Sequence, residues 1–218
     1  MKLLHTPCSR MRAFTLIELL SVVAVIGILA AILIPAIQGV RTRALEAKKL
    51  SNYRQYFVAN SLYANEHKGL TVPAKDSRGE EMLWQELLSP YLQGDMFNNK
   101  GEIYSDPFFE AYDASKPWLT GAGINVKVKL PESSKANAFW NKEKLDQGAD
   151  FHLSKITYPE KRIFIGDSHN WFLNANVIDA TRHQDGTKGV FVRFDGSAEM
   201  LTVKEASLAI THPSKAPR

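Results

Sequence analysis

Between Leu19 and Ile37 the chain reads LLSVVAVIGILAAILIPAI, a stretch with no charged residue and with Ser21 as its sole polar side chain. As a helix rising about 1.5 Å per residue it covers about 27 Å, close to the hydrocarbon thickness of a bilayer. No soluble fold of 218 residues hides such a helix easily, so the run predicts a membrane segment, with the rest of the chain folded outside it. Gly27 and Pro35 fit this reading, because both are tolerated in membrane helices; Pro35 removes one backbone donor and is expected to bend or loosen the helix there.

Glu18 stands immediately before this run, in RAFTLIELL. A carboxylate at membrane depth costs on the order of 2.5–3.5 kcal/mol, which marks it as a functional candidate. One account has Glu18 snorkel to the interface. The other gives it a cationic partner. A cut before Phe14 would expose a free amine at the tip of the helix, and the amine of one copy could then meet Glu18 of an axially displaced neighbour, rewarding one register in low dielectric. A cleaved secretory signal fits poorly. Its apolar region is usually only about 7–15 residues long, and it does not carry an acidic residue at the start. The orientation rule is silent, because Lys2, Arg10 and Arg12 precede the run while Arg41, Arg43, Lys48 and Lys49 follow it.

Charge excludes one class of partner. Lys and Arg number 27 against 23 Asp and Glu, but three of the basic residues precede Phe14, leaving 24 against 23 beyond it. The basic balance belongs to the extreme N-terminus and offers no nucleic-acid face. The single cysteine, Cys8, lies in the same stretch, so the remainder folds without an internal disulfide.

The short basic leader, the small residue at position 13 and FTLIELLSVVAVIGILAAILIPAI together resemble the type IV prepilin class. The resemblance implies a basic leader over residues 1–13. It implies a cut between Ala13 and Phe14 by a membrane prepilin peptidase, N-methylation of Phe14, and an assembly role for Glu18. Pro35 matches the proline common where such a helix leaves its most hydrophobic part. Where the family usually has glycine before the cut, this chain has Ala13. The implied protein sits in the inner membrane with a single pass and a periplasmic head. It assembles with copies of itself and other pilin-like subunits, on an inner-membrane platform, into a type II secretion pseudopilus or a type IV pilus-like fibre. The competing reading is a membrane-anchored periplasmic binding or enzymatic domain.

Downstream, VRTRALEAKKLSNYRQYFVANSLYANEHKG continues the helical spacing, giving one helix over residues 14–67 with its membrane segment at 14–37. Tyr53, Tyr56 and Phe57 read as core packing, and Gly69 as the stop. Residues 68–218 read as a globular head. GEEMLWQELLSPYLQGDMF reads as a second helix, GINVKVKL and KRIFIGD as strands, and GVFVRFDGSAEMLTV as a hairpin about Asp195-Gly196. A long helix followed by a small antiparallel sheet gives an α+β head. LLSPYL, GAGIN, and His183 ahead of Asp195-Gly196 resemble a narrower group of pilin-like heads abundant in planctomycetes and verrucomicrobia. Eleven residues separate His183 from Asp195, more than is usual in that group, and the resemblance assigns His183 no role.

Asp167, His169, Asp179, His183, Asp185 and Asp195 gather acid and imidazole groups in the C-terminal third. Several secretion pseudopilins bind calcium in a C-terminal loop, so Asp179, Asp185 and Asp195 are weak candidates for that ion. No D-x-D-x-D-G spacing supports it, and HQDGTKG and FDGS read more simply as turns. No cofactor is expected. Ser168 beside His169 lacks a glycine-flanked nucleophile elbow, and the expectation is a structural subunit with no catalytic residue.

Overall fold

The computed structural model describes residues 15–76, 82–92, 121–126, 152–183 and 186–217. The chain divides into two compact units, residues 1–43 and 44–218, and the first helix contributes to both. Helix α1 runs without interruption over Leu16–Glu66, with Pro35 inside it. Its apolar N-terminal part is uncovered: Ile17 is 73% exposed and Ile32 67%. It is the one helix among the described residues long and apolar enough to cross a membrane.

Within the second unit the part of α1 from Ala44 onward is amphipathic. Tyr53, Tyr56, Ala59 and Tyr63 recur at three- and four-residue spacing, and all are buried. The helix ends in a turn through Lys68 and Gly69, both at positive φ, where the Gly69 N–H donates to the Ala64 carbonyl at 2.7 Å. Two short strands follow, β1 (Lys75–Asp76) and β2 (Met82–Leu83), paired antiparallel. Among the described residues the expected second helix is only Trp84–Leu88 (α2), followed by a 3-10 turn at Ser89–Tyr91; residues 79–81 and 93–97 of that expectation lie outside them. It starts late because Leu83 is extended, with its N–H donating to Glu86 Oε2 at 2.6 Å. Pro90 then prevents regular continuation.

The remaining strands are β3 (Ala122–Asn125), β4 (Ile163–Asp167), β5 (Phe172–Leu173), β6 (Lys188–Arg193) and β7 (Ala198–Thr202), in the order β5-β3-β4-β6-β7. The expected strands at GIN, at IFIGD and in the C-terminal hairpin are present; residues 127–130 of GINVKVKL lie outside the described residues. The sheet is antiparallel except for β5, which pairs parallel to β3. The cause is local. The chain leaving β4 passes over the start of β3, with the Ser168 N–H on the Gly121 carbonyl at 3.0 Å, and runs back along the far side of β3. The sheet is therefore mixed rather than purely antiparallel. The β6–β7 hairpin turns at Asp195-Gly196, where Gly196 has φ +82° and Asp195 Oδ1 accepts from the Ser197 N–H and hydroxyl.

The sheet is covered on both faces. Ile124, Ile165, Val190 and Val192 pack with Tyr53, Tyr56 and Trp84 on one side. Ile163, Leu173, Phe191 and Leu201 pack on the other against α3 (Val203–Thr211) through Ala206, Ala209 and Ile210. Burial of both faces explains why IFIGD and GVFVR are almost unbroken apolar runs.

Candidate functional site

The N-terminal end of α1 is built from Thr15 and Glu18. The Thr15 carbonyl accepts the first helical bond, from the Leu19 N–H at 3.2 Å, which makes Thr15 the N-cap. Glu18 Oε2 accepts from the Thr15 N–H at 2.9 Å and the Thr15 hydroxyl at 2.8 Å, and the Glu18 N–H lies 3.3 Å from Thr15 Oγ1. This is a reciprocal capping box. Sequence reasoning missed it, although T-x-x-E ahead of an apolar run is its signature. Glu18 thus has a local partner at a helix end that already favours negative charge. Both contacts use Oε2, and Oε1 makes none among the described residues. The expected cut between Ala13 and Phe14 and the methylation of Phe14 lie outside the described residues, and Pro35 stays within the continuous helix.

In the head, the residues that the sequence gathered as acids and imidazoles divide into a buried centre and separate turns. Asp167, at the end of β4, is fully buried and accepts four hydrogen bonds. Lys49 Nζ and the Tyr53 hydroxyl, one turn apart on α1, each reach Oδ1 at 2.7 Å. His183 Nε2 at 2.8 Å and the Val190 N–H at 2.7 Å reach Oδ2. An ionised carboxylate only accepts, so His183 donates from Nε2; its Nδ1 faces Glu46 Oε1 at 3.7 Å. Burial alone would raise the Asp167 carboxyl, but the Lys49 ammonium, the His183 hydrogen bond and the Arg182 guanidinium outweigh it and hold the group well below the ordinary carboxylate range. Lys49 is 1% exposed. Helix and sheet are thereby tied through a charge pair that either partner would be costly to leave behind.

A second knot flanks the first. Asp179 Oδ1 accepts from the Thr181 N–H at 3.0 Å and hydroxyl at 2.8 Å, while Oδ2 meets Arg182 Nε and His169 Nδ1, the latter at 3.2 Å. Arg182 continues to the carbonyls of Gly121 and Ser168. The Ser168 hydroxyl lies 2.7 Å from the Phe172 carbonyl and 3.1 Å from that of Val177, holding the β4–β5 turn.

Of the three calcium candidates, Asp179 lies beside Gly189 at the start of β6, while Asp195 follows its other end. At about 3.3 Å per residue that is more than about 15 Å, so the two share no site. Asp185 lies outside the described residues. Among the described residues no three ligating side chains converge.

Residues 8–34 match the family model described as the prokaryotic N-terminal methylation motif. Over this N-terminal segment the chain is similar to type IV pilin-like proteins. Both the methylation motif and an uncovered apolar helix at the N-terminus are features of a membrane-anchored pilin-like protein. The long helix on a small five-stranded sheet gives this pilin-like chain an α+β architecture. No solved structure matches it.

Proposed function

We propose that this chain is a structural subunit, inserted as a prepilin, trimmed between Ala13 and Phe14, methylated at Phe14, and assembled into a type II secretion pseudopilus or type IV pilus-like fibre. Prepilin peptidase, copies of the chain, other pilin-like subunits and an inner-membrane platform are its partners, and the head faces the periplasm. The observation that carries the reading is the methylation motif over residues 8–34. The uncovered side chains of α1, with Ile17 and Ile32 among them, support it: they need lipid in the stored subunit and neighbouring helices in a fibre. Glu18 then serves two partners, capping its own helix through Oε2 and meeting a neighbour's amine through Oε1.

The role is structural rather than catalytic. The Asp167 centre favours this, because Lys49, Tyr53 and His183 are buried and engaged with the Asp167 carboxylate, which fastens α1 to the sheet. Mass spectrometry of the membrane form tests the reading: Phe14 should be the first residue and carry one added methyl group. Recovery of the chain with residues 1–13 still attached would overturn it.

A further inference from the structure

We infer that Arg41 and Arg43 each bind the phosphates of anionic phospholipids at the C-terminal edge of the membrane segment. Between Thr15 and Val40 the only charged residue is Glu18, and Arg41 and Arg43 are the first cations after it. Both are exposed, on regular helix. Neither makes an ion pair with a described residue, whereas nearby Glu46 and Lys49 are drawn to His183 and Asp167. Arg41 lies about 6 Å and Arg43 about 9 Å beyond Ile37 along the helix axis, at the depth of the headgroups when Leu19–Ile37 fills the hydrocarbon. They point roughly 200° apart around the axis, so they address lipids on opposite sides of the helix rather than one ligand between them. A guanidinium fork binds phosphate oxygens in a bidentate manner, and beside an anionic surface each such charge favours association about fivefold.

The site matters more after processing, a step that rests on the proposed function. In the precursor Lys2, Arg10 and Arg12 balance the two arginines across the membrane segment. Loss of residues 1–13 removes all three and leaves Arg41 and Arg43 as the basic side chains nearest the run. Leaving the membrane for a fibre then requires giving up those lipid contacts.

The test places a fluorophore on Val40→Cys, in a Cys8→Ser background, in the full chain reconstituted into phosphatidylcholine vesicles. Quenching by trace brominated phosphatidylglycerol is compared with quenching by brominated phosphatidylcholine, with and without residues 1–13. The expected result is a preference for phosphatidylglycerol of roughly 5- to 30-fold at low salt. It should fall to near unity in Arg41→Gln/Arg43→Gln and survive in Lys204→Gln, an exposed residue of α3. Inorganic phosphate should weaken it no more than chloride of equal ionic strength; stronger competition would assign the arginines to free phosphate and overturn the lipid assignment. Equal quenching by both lipids, with or without the leader, would overturn the proposal while leaving the subunit reading intact. An unprocessed N-terminus in cells would do the reverse.

Discussion

Replacing Lys49 by methionine keeps most of the side-chain volume and removes one charge from a pair that is almost wholly buried. Asp167 would retain the donors of Tyr53, His183 and Val190 but lose its contacting cation. Breaking one side of a buried pair typically costs about 3–5 kcal/mol, since the remaining charge is left desolvated. Asp167→Asn should cost a similar amount, now by stranding Lys49. In the double variant Lys49→Met/Asp167→Asn no charge is stranded, so the total should fall short of the sum by at least about 2 kcal/mol. Urea unfolding of the full chain in detergent, followed by tryptophan fluorescence to which the buried Trp84 contributes, reads all three. Single variants within about 1 kcal/mol of the parent, or strict additivity in the double, would refute the view that this pair fastens α1 to the sheet.

Acid should attack the same point. The folded Asp167 carboxyl is depressed below its ordinary value near 3.8, so its contribution is complete above that value and is lost as pH falls below about 4. Midpoints of urea unfolding between pH 7 and pH 2.5 should show this loss, and Lys49→Met should flatten it. Gly166→Ala should destabilise the head by several kcal/mol, because an added Cβ would lie 2.0 Å from Cδ1 of the fully buried Phe191; thermal unfolding checks this. Thr202→Val, which removes the hydroxyl accepting from the Glu205 N–H at 3.3 Å, should cost about 1 kcal/mol in the same assay, and Thr202→Ser should restore it.

The parts of the fold legible in the sequence were those with a strong period or a specific turn. The long helix, the IFIGD strand and the hairpin at Asp195-Gly196 follow from apolar spacing and from a dipeptide that suits a tight turn. The two-residue β5 carried no pattern at all, and its parallel pairing arises from the path of the β4–β5 turn. Helix α3 was missed, although its start repeats the signal missed at the start of α1: TVKE at Thr202–Glu205 and TLIE at Thr15–Glu18 form the same reciprocal box.

The Asp167 centre was half visible. Asp167 and His183 stood out within a group of acids and imidazoles, but nothing set Lys49 and Glu46 apart from the other charges of the helix. Only the spacing Glu46, Lys49, Tyr53, which places three polar groups on one helical face, could have signalled a buried polar seam. Asp179 and Asp195, given by the resemblance as weak candidates for an ion, have an entire strand between them.

The capping box sharpens the question about Glu18, because a carboxylate that serves only its own helix end needs no neighbour. Glu18→Gln keeps an acceptor oxygen for Thr15 and removes the charge, whereas Thr15→Val removes the box and keeps the charge. The decisive quantity is the fraction of subunits sedimenting as polymer when each variant is expressed with its assembly machinery. The account predicts that Glu18→Gln inserts normally yet fails to polymerise, while Thr15→Val polymerises at least in part. Normal polymer from Glu18→Gln would contradict it.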